Sequence, residues 1–154
     1  MAHSNYDLIR FLEAQNQLYL TALSEIKKGK RETHWMWFIF PQITGLGTSD
    51  TAKFYAITDL KEAVEFAAHP ILGKHLIEIS ELILTFKMKS AESILGELEA
   101  RKLRSSMTLF TLIENSNPIF QEVLDTFFSG EQDPLTLSII NSIIKTSIEE
   151  TTVQ

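Results

Sequence analysis

The sequence predicts an all-α fold, a compact single-domain helical bundle of about six to seven helices. Three observations lead to this prediction. Apolar residues recur at helical spacing, and X-Pro pairs divide the second half of the chain into segments of helix length. No segment alternates apolar and polar residues between turn signals, as a half-buried strand does. We therefore expect little or no β-sheet.

The first predicted helix begins near Leu8 and ends at Gly29. Its apolar residues keep the i, i+3, i+4 spacing as far as Ile26, with Gln15 as the polar exception. Two lysines in the last turn oppose the helix dipole, and glycine favours the left-handed conformation that ends many helices.

Further helices are predicted from capping residues and prolines. Asp59 and Glu62 have the spacing of a capping box, and the helix that they open ends at His69, because a residue before proline is driven out of the α region. The expected helical ranges are 60–68, 70–86, 98–114, 119–128 and 134–148. The single helical domain would thus span residues 1–148, followed by a polar, frayed tail at 149–154.

Composition excludes several classes of protein. With 14 Lys+Arg against 20 Asp+Glu the formal charge is −6, which does not suit a nucleic-acid binder. The absence of cysteine excludes disulfides, thiol nucleophiles and zinc–thiolate sites. The longest apolar run, residues 35–40, is far shorter than the ~20 residues of a membrane-spanning helix. The first residues lack the features of a secretory signal, so we expect a cytoplasmic protein without a membrane partner.

An aromatic stretch at residues 34–42 is the first candidate functional segment. It holds both tryptophans, Trp35 and Trp37. Aromatic side chains bury about 150–250 Å² each, so the segment must cross the core or line a concave wall. Periodicity leaves open whether it is helical or extended, and whether the tryptophans only pack or also contact a ligand.

His34 stands between a charged stretch and this aromatic block, where we expect it to be partly buried. It is either a hydrogen-bonded structural histidine or a general acid or base, and it is the only candidate catalytic residue. Gln42 closes the segment and is a candidate for orienting a ligand.

Gly45 and Gly47 precede an expected short helix, which Thr48 or Ser49 would cap and which would end near Tyr55. Such glycines leave backbone N–H groups free for an anion. The stretch lacks the third glycine of a dinucleotide fingerprint and the Gly-Lys-Ser/Thr of a phosphate loop. An ordinary turn is therefore the alternative.

A basic cluster within residues 101–110 is the second candidate segment. On a helix its cations and hydroxyls share neighbouring faces, an arrangement that suits a carboxylate or a phosphate. The candidate ligand-binding residues are Lys102, Arg104, Ser105 and Ser106. The alternative is a solvated helix face on which the cations pair with Glu97 or Glu99. No nucleophile elbow surrounds either serine.

The remaining histidines offer no metal site. His69 is expected near the free carbonyls that end its helix, and His75 to pair with Glu78 at i+3 on the surface. Since no metal-binding spacing occurs in the sequence, we expect neither a metal nor a cofactor.

The chain resembles a family catalogued as domain of unknown function 1810, which is uncharacterised and mostly bacterial. Two long motifs carry the resemblance, at residues 34–42 and 102–110, and shorter matches extend it over about residues 6–140. The resemblance implies a small, mainly helical protein without an established activity, and it supplies no catalytic residue. The label calpastatin, sometimes given to this family, does not fit, because that inhibitor is disordered. Family members tend to carry an Asp shortly before the second motif, where this chain has Glu97 and Glu99.

We hypothesise that the two segments converge on one cleft for a small anionic ligand, of nucleotide or phosphate-ester size. Trp35 or Trp37 would stack a planar ring, and His34 would transfer protons. Lys102 and Arg104 would hold the charge, while Gln42 and Ser106 would orient the ligand. The alternatives are a protein-interaction module or homo-oligomer, and two motifs that serve folding alone. The sequence does not decide whether the protein is an enzyme.

Overall fold

The structure, a computed structural model, describes residues 6–152 and the side chains as far as residue 150. Its helices are α1 (Ile9–Lys27), α2 (Met36–Ile39), α3 (Asp50–Phe54), α4 (Leu60–Ala68), α5 (Leu72–Leu84), α6 (Ala91–Leu95), α7 (Glu97–Thr111), α8 (Ile119–Phe128) and α9 (Pro134–Thr152). Over these residues the only β-pairing is an isolated bridge between Ile43 and Ile57. The all-α prediction is confirmed. No helix in this range is long and apolar enough to cross a membrane.

Several helices begin and end at the predicted capping residues. Gly29 adopts a φ of +78° at the end of α1. The Asp59 carboxylate accepts the backbone N–H of Glu62 at 2.9 Å and opens α4. The Glu62 carboxylate accepts the N–H of Thr58 at 2.7 Å, one residue earlier than in a capping box. His69 is extended, with a ψ of 133°, and ends α4 as expected.

Two parts of the fold differ from the prediction, and one point that the sequence left open is resolved. The aromatic stretch contains one helical turn, α2, where periodicity allowed either a helical or an extended segment. The sequence analysis missed α6 altogether. A five-residue helix is too short to show a period of 3.6, which is why the pattern did not reveal it. The last helix continues into the predicted polar tail as far as Thr152, and residues 153–154 lie outside the described range.

A single apolar core joins the helices, and α7 lies at its centre. Leu103, Met107 and Phe110 are fully buried on α7, which contacts α2, α4, α6, α8 and α9. The first helix packs on α2 and α5. At Gly73, α4 and α5 approach so closely that a Cβ would lie 2.1 Å from the Ala67 carbonyl oxygen. This arrangement fixes α7 against the aromatic turn.

Residues 42–57, here called the wall segment, are held at both ends. Backbone hydrogen bonds of 2.8 Å join Thr44 to Ile57 and Ile57 to Gln42, so the two ends meet. Arg10 of α1 donates to the carbonyl oxygens of Phe54 and Ala56. It also pairs with the buried Glu62 at 3.1 Å. The segment is thereby fixed between α1 and α2.

Candidate functional site

The aromatic stretch and the basic cluster face one cleft of about 470 Å³. The α2 turn and the wall segment form one side, and α7 with the start of α9 forms the other. The polar and aromatic lining includes Trp37, Gln42, Arg101, Lys102, Arg104 and Ser105. The volume falls within the ~300–1,000 Å³ range of small-molecule sites. The structure therefore brings parts of both predicted segments together.

Lys102 and Trp37 connect the two sides of the cleft. The Lys102 Nζ lies 4.5 Å from the centroid of the Trp37 ring, a cation–π contact. The same ammonium lies 3.1 Å from Oε2 of Glu99, one turn earlier on α7. Both side chains of this ion pair are partly buried, so the pair is less screened than one in open solvent. Lys102 is thus held over the indole by a carboxylate of its own helix.

Two side chains of the cleft offer unused hydrogen-bonding groups. Among the described residues, neither the Gln42 amide nor the Trp37 indole N–H has a hydrogen-bond partner, and both side chains are half-buried. Arg101 also lines the cleft, but it is mostly exposed and pairs with Glu97 at 3.3 Å. Such an exposed ion pair contributes little to stability.

Because their donors have no partner among the described residues, Gln42 and Trp37 can donate to a guest molecule without breaking a hydrogen bond within the protein.

Arg104 and Ser105 line the cleft but already bind the protein. Arg104 donates to the carbonyl oxygens of Glu131 and Gln132 at 2.9 and 2.8 Å. Ser105 Oγ lies 2.9 Å from Oδ2 of Asp133 and donates to it. These contacts fix the α8–α9 loop on α7. Their first role is to hold one side of the cleft in place.

Three predicted site residues lie outside the cleft. Trp35 is fully buried, and its Nε1 donates to Glu25 at 2.9 Å. Ser106 is fully buried too, and its hydroxyl has no partner among the described residues. His34 is exposed, with its ring centroid 6.4 Å from that of Trp37, so the expected partial burial is wrong. Ser105 and Ser106 are adjacent on α7, where neighbouring residues point about 100° apart, which separates Ser106 from Ser105 in the cleft. His34 and Trp35 precede α2.

His75 belongs to a hydrogen-bonded network rather than to a surface ion pair. The Gln15 amide donates to the carbonyl of Phe38 at 2.7 Å, which turns Oε1 toward the imidazole. His75 Nδ1 then donates to that oxygen at 2.7 Å, and its ring stacks on Tyr19 at 3.6 Å. Glu78, its expected partner, instead accepts the Tyr19 hydroxyl. Burial lowers the pKa of His75, with Glu78 partly opposing the shift.

His69 also differs from the expectation. Its Nδ1 accepts the backbone N–H groups of Ile71 and Leu72, at 3.1 and 3.3 Å, so it caps the start of α5 rather than approaching the carbonyls of α4. Among the described residues, no group of three His, Asp or Glu side chains could hold a metal ion.

Several lining residues of the cleft were not among the predicted site residues. Asp133 is one of them: it lines the cleft, and its carboxylate accepts the Thr136 hydroxyl at 2.6 Å. Leu98 and Leu135 lie at the same cleft and are 66% and 65% exposed. Asp133 lies 28 residues from Ser105, and no local pattern signals a contact at that separation.

Fold and site together define a class: a small all-α protein with a ligand-sized cleft of mixed apolar and charged lining. Within that class, the chain belongs to the family described as "Protein of unknown function (DUF1810)", whose model matches residues 5–140. The resemblance noted in the sequence is confirmed. Among curated proteins none matches the chain.

A solved structure shows the same fold. The chain is similar to the conserved hypothetical protein Rv1873 from Mycobacterium tuberculosis, whose crystal structure superposes with a TM-score of 0.87 at 37% sequence identity. The match covers 90% of this chain and 99% of that one. That protein is described as hypothetical, without an activity.

Proposed function

We propose that this protein binds a small anionic ligand in the cleft between α2, the wall segment and α7. One observation carries the proposal: the Lys102 ammonium is held over Trp37, beside a Gln42 amide without a partner among the described residues. A positive charge, an aromatic ring and a free amide on one concave surface are the groups that recognise a charged molecule with a flat body.

Each side chain has a distinct role in this proposal. Lys102 supplies the charge, Trp37 the flat apolar surface, and Gln42 a donor and an acceptor that fix orientation. Arg104 and Ser105 keep the α8–α9 loop in place through the contacts given above. His34, Trp35 and Ser106 have no part in binding. The proposal therefore concerns binding, and no reaction is assigned.

Thermal unfolding of the full chain, followed by calorimetry, tests the proposal. The panel contains nucleotides, sugar phosphates, dicarboxylates and monocarboxylates, each compared with an equal concentration of chloride. A ligand at 100 times its dissociation constant stabilises by about 2.7 kcal/mol. For a chain of this size that raises the melting temperature by roughly 5–10 °C.

Lys102→Ala should abolish this ligand-induced rise, measured against the melting temperature of the free variant. Lys61→Ala is the matched control, because Lys61 is exposed on α4 and does not line the cleft. An unchanged rise in Lys102→Ala contradicts the proposed site. Stabilisation by no anion at all contradicts binding and favours the alternative, a module that contacts another protein or a second copy.

A further inference from the structure

The charges around the cleft restrict the kind of anion that it suits. Three cations line it, and each lies within 4 Å of a carboxylate. The pairs are Arg101–Glu97 at 3.3 Å, Lys102–Glu99 at 3.1 Å and Arg104–Glu131 at 3.7 Å. A fourth carboxylate, Asp133, lines the cleft itself. Three positive and four negative groups leave the cleft without a positive surplus.

A ligand of high negative charge therefore meets little net attraction. Sites for polyphosphates gather several cations around one ligand, because each phosphate needs its own counter-charge. Here Arg104 is directed to two backbone carbonyls, and Arg101 is 72% exposed beside its own carboxylate. Lys102 is the one partly buried ammonium of the cleft that could serve an incoming anion, and Glu99 competes for it.

The mouth of the cleft is apolar. Leu98 at the start of α7 and Leu135 at the start of α9 are each about two-thirds exposed, and both belong to the lining. Leu46 and Ala52 of the wall segment continue this apolar surface beside Trp37. A molecule that covered these side chains would remove apolar surface from water, which favours binding. The lining thus suits an apolar body joined to a small charged group.

We propose that the cleft selects a singly charged carboxylate that carries a flat apolar body, and that Glu99 sets this preference by competing for Lys102. The inference rests on the proposed function. The carboxylate accepts from Lys102 and from the Gln42 amide, while the body lies against Trp37 and the two leucines. One ligand charge suffices to replace Glu99 at the ammonium. Further ligand charges meet Asp133 and the carboxylates paired with the two arginines.

Isothermal titration of the full chain with a matched set of small molecules tests this inference. Phenylacetate carries both required features. Acetate lacks the flat apolar body, and phenylacetamide lacks the negative charge. Phenyl phosphate carries close to two negative charges, and ATP carries several. We expect phenylacetate to bind about tenfold or more tightly than each of the other four, a difference of about 1.4 kcal/mol.

Glu99→Gln separates the role of this carboxylate from that of the cleft as a whole. Removing this competing carboxylate should strengthen the binding of phenyl phosphate about tenfold and that of phenylacetate by a smaller factor. The ratio of the affinity for phenylacetate to that for phenyl phosphate should therefore fall. Glu92→Gln, an exposed change of equal charge on α6, should alter both affinities less than about twofold. Glu99→Asp keeps the charge and should keep the preference.

The possible results differ for the two proposals. Tighter binding of ATP than of phenylacetate overturns the inference and leaves anion binding in place. An unchanged preference in Glu99→Gln overturns the role of Glu99. If none of the anions binds, both the inference and the proposed function fail.

Discussion

Glu25 is a buried carboxylate that ties the end of α1 to the loop before α2. Its oxygens accept four hydrogen bonds, from the backbone of Glu32, from the backbone and hydroxyl of Thr33, and from the indole of Trp35. Burial alone would raise the pKa of this carboxyl, but the hydrogen bonds outweigh it and lower the pKa from 4.5 to about 2. The folded state therefore favours the charged form of Glu25.

Glu25 should make the free energy of unfolding fall as the pH is lowered. Because the pKa is lower in the folded state, the stabilisation is fully present above pH 4.5 and declines as the pH falls toward 2. Between pH 7 and pH 3 the wild-type chain should lose about 2 kcal/mol more free energy of unfolding than Glu25→Gln, which cannot titrate here. Urea unfolding at both pH values measures this difference.

Glu13→Gln is the control for this experiment, since Glu13 is exposed on the same helix. It should follow the wild-type pH dependence closely. If Glu25→Gln loses as much stability in acid as the wild type, the hydrogen-bonded carboxylate is not the source of the effect.

At the residue scale, the sequence identified which segments matter but not which side chain of each pair faces the cleft. Trp35 and Trp37 were equal candidates, as were Ser105 and Ser106. Which tryptophan faces the cleft depends on the backbone at the start of α2, and which serine does so depends on the rotation of α7 about its axis. Long-range packing determines both. The aromatic density that drew attention to residues 34–40 serves the core at Trp35 and the cleft at Trp37.

At the scale of elements, two arginines hold loops by the same chemistry. Arg10 donates to the carbonyls of Phe54 and Ala56, both at 2.8 Å, and so attaches the wall segment. Arg31 donates to the carbonyls of Leu95 and Thr33, also at 2.8 Å, and so joins the end of α6 to the loop before α2. The planar fork of the guanidinium reaches two carbonyls at once, which an ammonium does not.

Replacing each arginine with lysine should loosen one loop and leave the other unchanged. Arg10→Lys keeps a charge for Glu62 but loses the double contact, so amides of residues 43–58 should exchange faster with solvent. Arg31→Lys should accelerate exchange in residues 91–97 instead, and each variant is the control for the other. We expect a local loss of about 1–3 kcal/mol in each case, measured by hydrogen–deuterium exchange. Equal acceleration of both regions would contradict separate anchoring.

The elements that the sequence predicted best are those with local capping signals. Ser49 and Asp59 accept the expected backbone N–H groups at the starts of α3 and α4, and Gly29 ends α1. Ser90 caps α6 in the same way, but five helical residues gave no periodic signal beside it. The position of the wall segment depends on hydrogen bonds from Arg10 to residues 44 and 46 positions later in the chain. Local sequence spacing does not predict contacts at that separation.

At the scale of the whole molecule, the buried residues form one continuous cluster that draws on every helix except α3. We therefore predict that the chain unfolds as one cooperative unit. Urea transitions followed by far-ultraviolet and near-ultraviolet circular dichroism should coincide, with an m-value of about 1–3 kcal/mol per M. Two separated midpoints would show that the predicted single domain is divided.

The different surroundings of the two tryptophans give the molecule an intrinsic optical reporter. Trp35 is sealed from solvent and donates to a carboxylate, whereas Trp37 faces the cleft under an ammonium. The indole emission of the chain is thus the sum of a shielded component and an accessible one. A soluble quencher reaches only the second component, and any guest that settles against Trp37 shields it. Occupancy of the cleft can therefore be followed without a dye or a label.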